Sequence, residues 1–239
     1  MNEVKAHQFG MRDLYKMYLS RGLKLPIMYF LENLLFDITR GVSTHQYLQA
    51  DELHVDGDNA KHSVLYMSSW TSVIRNSTKK AVELLLRSND EPVSLVDVGS
   101  GKGKVLLVWE EMFNARSEFS ILGIEFSKIL SSVCKKNLDI VDAKKSDIFE
   151  GDVMDFCFKN MNKNIIFYMY NPFNSVLMDK FLIKVRAEIP AEANILFIYN
   201  NSVHDDLMEK AGVKEIVSKK SWHPNGQYKI YSPQKNTKI

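Results

Sequence analysis

Ser94-Leu95-Val96-Asp97-Val98-Gly99-Ser100-Gly101-Lys102-Gly103-Lys104-Val105-Leu106-Leu107 decides how the rest of the chain is read. The apolar run Leu95–Val98 holds an acid at Asp97 and has the character of a short buried strand. Val105, Leu106, Val108 and Trp109 open a helical pattern near Gly103. Between the two, Gly99, Gly101 and Gly103 stand at alternate positions, where a backbone without Cβ turns sharply and comes close to a ligand. The helix that follows aims unpaired N–H groups and a partial positive charge at the turn. Strand, turn and helix together describe a small-molecule cradle at the carboxyl end of a parallel strand. Two familiar cradles do not fit. Gly103-Lys104-Val105 lacks the hydroxyl that a phosphate-binding loop places on magnesium, and the spacing is G-x-G-x-G where a dinucleotide fingerprint has G-x-G-x-x-G.

Downstream, strand and helix patterns alternate. Phe119–Glu125 reads as a buried strand, followed by a helix capped at Ser127 and running to about Asp139. Ser146–Phe149 is a short strand ending at Glu150-Gly151-Asp152, and Asn164–Tyr170 is an apolar strand stopped by Asn171-Pro172. A helix over Ser175–Glu188, a strand over Asn194–Tyr199 and a last helix around Leu207, Met208 and Ala211 complete the alternation. Val213–Ser218 and Tyr228–Tyr231 flank the turn signal Pro224-Asn225-Gly226, which predicts an antiparallel hairpin. This pattern predicts an α/β fold: a doubly wound, mostly parallel seven-stranded sheet with a C-terminal antiparallel hairpin.

Upstream, the glycine-loop strand follows a helix over Thr71–Arg87. Residues 1–40 are helical in pattern, with Ile27, Phe30, Leu31, Leu34, Leu35 and Ile38 on one face. Leu14, Tyr15, Tyr18 and Leu19 form a shorter stripe before a break at Gly22 and Pro26. The expected arrangement packs the longer stripe against the main domain. The alternative is a surface for a partner chain or for peripheral contact with a membrane, helped by Arg21 and Lys24. Residues 41–70 lack periodicity and carry His45, His54, His62, Tyr47, Tyr66 and Trp70. Their histidines are spaced too widely for a compact zinc motif, so no metal site is expected. A loop covering a ligand or lining an acceptor pocket suits them better. The expected organisation is a helical extension and loop over 1–70 and a ligand-binding domain over 71–239.

Composition sets outer limits. Of 239 residues, 45% are apolar and 25% charged, as in an ordinary globular domain. The net charge of +2 gives no bulk attraction to nucleic acid. Cys134 and Cys157 are too few for a disulfide framework and are expected to be buried thiols in a reducing, cytoplasmic setting. The longest apolar run, Ile165–Tyr170, falls far short of the roughly 20 residues that cross a bilayer.

The strand ends form one constellation. The first supplies Asp97, Gly99, Ser100, Gly101 and Gly103; the second ends in Glu125 and Phe126, about 22 residues beyond Gly103, where an acid accepts both hydroxyls of a ribose. The third ends in Gly151-Asp152-Val153, suited to an adenine amine and its ring face, or alternatively to a helix N-cap. The fourth ends in Tyr170-Asn171-Pro172-Phe173. The ordered set, D-x-G-x-G-x-G, then an acid, then Gly-Asp, then Asn-Pro-Phe, resembles the class I S-adenosylmethionine-dependent methyltransferases over about residues 71 to 232. Val-Asp-Val-Gly-Ser-Gly-Lys-Gly-Lys, Leu-Gly-Ile-Glu-Phe-Ser and Tyr-Asn-Pro-Phe look like a bacterial branch whose acceptors are mostly unassigned. That branch also shares the helical N-terminal segment and Gly41-Val42-Ser43-Thr44.

The resemblance implies S-adenosyl-L-methionine as cofactor, with Asn171 beside the reacting group; Tyr66, by its place in the loop before the domain, is expected to lid the cofactor. Amine and nucleobase methylases often carry Asn/Asp-Pro-Pro-Tyr/Phe, and the chain has one proline there, so the acceptor is expected to be a small molecule or glycan methylated on oxygen rather than nitrogen. A hydroxyl acceptor needs a base; His204, at the mouth of the fifth strand, is the first candidate, then His45 and His62. The competing functions are a protein or amine N-methyltransferase, a nucleotide-sugar or NAD enzyme on a related sheet, and a non-catalytic cofactor-binding subunit.

Overall fold

The computed structural model describes residues 10–45, 67–86 and 91–234. Seven strands form one sheet: β1 (Val93–Val98), β2 (Phe119–Glu125), β3 (Ser146–Glu150), β4 (Asn164–Met169), β5 (Asn194–Asn200), β6 (Val213–Lys219) and β7 (Tyr228–Pro233). Their spatial order is β3-β2-β1-β4-β5-β7-β6. Every neighbouring pair through β5 is parallel, and β7 runs antiparallel to both β5 and β6. The helices α4 (Thr71–Leu85), α5 (Lys104–Phe113), α6 (Lys128–Ile140), α7 (Ser175–Glu188) and α8 (Asp205–Lys210) alternate with the strands.

β1 and β4 are buried along their whole length because both faces of the sheet are covered. Alternation divides their side chains between two cores. Leu95, Ile166, Tyr168 and Ile198 meet Val73, Ile74, Leu106 and Trp109 on one side. Val96, Val98, Phe167 and Phe197 meet Met178, Phe181 and Phe158 on the other. Winding reverses between β1 and β4, so the loops leaving their carboxyl ends part and open a crevice there. Caps fix the flanking helices: Ser127 Oγ accepts the Leu130 amide at the start of α6, and Asn174 Oδ1 accepts the Leu177 amide at the start of α7.

The N-terminal helices are α1 (Met11–Arg21), α2 (Lys24–Tyr29) and α3 (Leu35–Arg40), the last two joined by a π-helical turn over Phe30–Leu34. Pro26 does not break α2; it sits in the first turn, where no intrahelical amide is lost. Helix and domain do meet, but by the opposite face from the one expected. Ile27, Leu31 and Ile38 are 54%, 50% and 67% exposed, whereas Glu32, Asn33, Phe36 and Asp37 are buried. Hydrogen bonding decides the orientation. The Glu32 carboxylate accepts the Ser72 amide (2.9 Å) and hydroxyl (2.6 Å), serving the first turn of α4. Lys104 Nζ donates to Glu32 O (2.6 Å) and Asn33 Oδ1 (2.5 Å). Asp37 accepts the Thr44 amide and hydroxyl (both 2.6 Å) and the His45 amide (2.9 Å). Turning the apolar stripe inward would strand these charges, buried Lys104 among them, at a cost above that of leaving aliphatic side chains in water.

Residues 41–44 are stitched to the glycine loop through α6. Asn137 Oδ1 accepts the Ser43 amide (3.0 Å), and Nδ2 donates to Ser43 O (3.2 Å) and Lys102 O (2.9 Å). One cysteine differs from expectation: Cys134 is buried, but Cys157 is exposed. Its extended backbone sends the flanking Phe156 and Phe158 to the opposite side.

Candidate functional site

A cavity opens at the carboxyl ends of β1 to β4, and the expected residues converge on it. β1 and its turn contribute Asp97, Gly99 and Ser100; β2 contributes Glu125 and Phe126. The turn after β3 contributes Gly151, Asp152 and Val153, and the turn after β4 contributes Asn171. Gly101 and Gly103 lie outside the wall and shape the turn. Gly101 donates its amide to Glu125 Oε2 (2.8 Å), while Ser127 donates to Oε1 (2.8 Å). One carboxylate thus ties the glycine turn to the start of α6.

Two glycines are dictated by geometry. Gly99 has φ of 76°, and a Cβ there would lie 2.8 Å from Pro172 Cβ. The first turn therefore leans directly on the Asn-Pro-Phe turn, leaving no room for a side chain between them. Gly103, the left-handed N-cap of α5 (φ 82°), lies against Cys134 Sγ. Asn171 takes φ of 46°, a conformation that asparagine tolerates better than most residues.

The wall holds unfulfilled polar atoms. Ser68 Oγ, Ser100 Oγ and Asn171 Oδ1 are buried and have no hydrogen-bond partner. A buried unpaired polar atom costs about 1–3 kcal/mol, so three in one cavity wall mark it as a place for a polar ligand. The carboxyl groups carry the same message. Burial, reinforced by the charge of Glu125, holds Asp97 well above the ordinary carboxylate range. Burial pushes Glu125 up to about 7, against the backbone donors Ser127, Gly101 and Phe126. Two acids held this way gain from a ligand that brings cationic charge and hydroxyl donors.

No protein-family model matches the sequence, and no curated protein matches it either. Among solved structures, the chain is similar to a mutant of MtNAS in complex with S-adenosylmethionine, with TM-score 0.52 and 9% identity over 68% of this chain. The alignment spans 62% of that protein's length. A second structure of the same mutant gives TM-score 0.50 and 9% identity over 68% of this chain and 60% of that one. A SAM-dependent methyltransferase from Aquifex aeolicus aligns over 68% of this chain and 96% of that one, at 13% identity and TM-score 0.48. The seven-stranded sheet with its C-terminal antiparallel hairpin is the Rossmann-like methyltransferase fold.

Within this methyltransferase fold the other expected residues have distinct places. Asp152 Oδ1 accepts the Met154 amide (2.8 Å), so it turns its own loop while lining the cavity. His204 is the N-cap residue of α8 and is not part of the cavity wall. His45 pairs through Nδ1 with Asp37 Oδ2 (2.6 Å), away from that wall. Burial raises Asp37, and the hydrogen bonds from His45 and Thr44 outweigh it, holding the group below the ordinary carboxylate value. Tyr66, Tyr47, His54 and His62 lie outside the described residues. Among the described residues no group of three or more His, Cys, Asp or Glu is arranged to hold a metal ion.

Sequence reasoning missed Lys104, Ser68 and Tyr168, all in the wall. Burial lowers Lys104 to about 7, opposed by the charges of Asp37 and Glu32. Its signal was the polar trio Glu32, Asn33 and Asp37 on the helix side away from the apolar stripe. Tyr168 donates to Asn200 Oδ1 (3.3 Å), and Tyr170 donates to Asn225 Oδ1 (2.6 Å). Burial raises both phenols, which stay protonated and so donate rather than act as bases.

Proposed function

We propose that this protein is an S-adenosylmethionine-dependent methyltransferase acting on the oxygen of a small-molecule or glycan-like acceptor. The supporting observation is the cavity at the carboxyl ends of β1 to β4, whose wall gathers the unpaired Ser68, Ser100 and Asn171 oxygens with the buried acids Asp97 and Glu125. Asp97 and the glycine turn would hold the amino-acid end of the cofactor, Glu125 the ribose, and Asp152 with Val153 the adenine. The cofactor supplies an electrophilic methyl group on a good leaving group. The protein's part is to align, exclude water and orient, which is worth roughly 7–11 kcal/mol at best.

Asn171 and His204 go forward as proposed catalytic residues on unequal support. Asn171 lines the cavity with an unpaired amide oxygen, suited to orienting an acceptor hydroxyl. His204 stands outside the wall, and only its place after β5 supports it as a base. Oxygen is favoured over nitrogen by the single Pro172, after which Phe173 turns into the core against Phe181. In this reading residues 71–239 form the cofactor-binding domain, residues 1–70 an extension with a loop over the acceptor, and the setting is cytoplasmic.

Calorimetry tests the cofactor class. S-adenosylhomocysteine binds and NAD does not, and Asp97→Ala and Glu125→Ala each weaken binding about tenfold or more. Binding of NAD instead, or wild-type affinity in both variants, overturns the reading. Binding without turnover on any acceptor pool would identify a non-catalytic subunit.

A further inference from the structure

The N-terminal helices carry an unusual division of charge. Residues 10–40 contain three acids, Asp13, Glu32 and Asp37, and all three are buried. The exposed charges of the same segment are Arg12, Lys16, Arg21 and Lys24, all basic. Alongside them Leu23, Ile27, Phe30, Leu31 and Ile38 face solvent, and on α1 so do Tyr15 and Tyr18. The pattern continues past the helices. Trp222, itself exposed, has Lys24 Nζ 4.4 Å from its ring centre and its carbonyl accepting from Arg21 Nη1 (3.0 Å). Lys219 and Lys220 beside it are exposed too. No helix of the described residues is long and apolar enough to cross a membrane.

We propose that this face seats on an anionic membrane surface, its aliphatic and aromatic side chains entering the headgroup boundary and its basic side chains meeting lipid phosphates. An apolar strip flanked by cations and aromatic rings is the composition that lies in such an interface, and each cation near an anionic leaflet adds to the attraction. A second copy of the chain suits the face less well, because a two-fold contact would bring like charges together with no exposed acid on these helices to answer them. The proposal goes beyond the methyltransferase reading and does not depend on it.

Sedimentation of the full chain with lipid vesicles tests it. The wild type pellets with vesicles of phosphatidylcholine and phosphatidylglycerol, pellets far less with phosphatidylcholine alone, and is released by salt. Ile27→Asp with Leu31→Asp lowers partitioning about a hundredfold. Arg12→Gln with Lys16→Gln lowers it about fivefold for each charge removed. The charge variant decides the matter should the aspartates disturb the helix. Failure to pellet with the anionic vesicles overturns the proposal, as does wild-type partitioning in both variants. So does a wild-type dimer that Ile27→Asp converts to monomer, which would assign the face to a second copy.

Discussion

The strand-end cavity and the N-terminal helices solve opposite problems with the same residue types. At the cavity, apolar side chains fill both faces of β1 and β4, and polar ones gather where the strands end. In the helices, the polar side is buried and the apolar side faces solvent. A helical period establishes that two faces differ; it does not say which one turns inward. That choice follows from partners distant in sequence, here Lys104 and Ser72, which give Glu32 and Asn33 something to bind.

Substitution on the two faces of one helix would break this contrast most directly. Glu32→Ala leaves the Ser72 amide and hydroxyl at the start of α4 without their acceptor and removes a negative charge near buried Lys104, and should cost about 3 kcal/mol of stability. Leu31→Ser, one residue away, should change stability by no more than about 0.5 kcal/mol. Urea unfolding measures both, and a larger loss for Leu31→Ser would reverse the assignment of faces. At the cavity, Gly99→Val forces a side chain against Pro172 at positive φ and should weaken S-adenosylhomocysteine binding about a hundredfold, a few kcal/mol of strain and clash.

Titration sharpens the electrostatic half. Glu125 in the free protein takes up its proton near pH 7, against an ordinary value of 4.5. The folded chain therefore binds that proton more tightly than the unfolded chain. The stability it contributes is full below about 4.5 and is lost as pH rises through about 7. A ligand donating to the carboxylate expels the proton. Affinity for S-adenosylhomocysteine should therefore rise by up to about tenfold per pH unit below 7 and flatten above it. Glu125→Gln should abolish that slope, and a pH-independent wild type would remove Glu125 from the ligand contacts.

Smaller effects separate the two proposed catalytic residues. Asn171→Gly keeps the left-handed backbone and deletes the amide, so kcat should fall about tenfold with cofactor affinity nearly unchanged. His204→Ala should flatten the acidic limb of the pH–rate profile. An unchanged profile, with kcat within about twofold, would remove the histidine as the base.

The fold was legible wherever a local rule had no rival. Phe119–Glu125 and Ser175–Glu188 have the bounds their patterns imply, because Ser127 and Asn174 cap the helices nearby. The order of strand-end residues was legible for the same reason, since each follows a strand that must end at one edge of a parallel sheet. The rest depended on long-range pairing. Nothing near Lys104 in the sequence announces that its ammonium lies under residues 32 and 33, more than seventy positions upstream. Nor does the Phe-Cys-Phe triplet show that alternation will place Cys157 outside.

The clasp between the first helices and the glycine turn bears on how the molecule can be divided. Shortening the chain to begin at Thr71 looks like the removal of an appendage, yet it would uncover buried Lys104 and deprive it and Ser72 of the groups that steady them. The cradle's rigidity is assembled from outside the sheet that presents it, so a trimmed variant that lost its ligand would report on missing scaffolding rather than on missing chemistry.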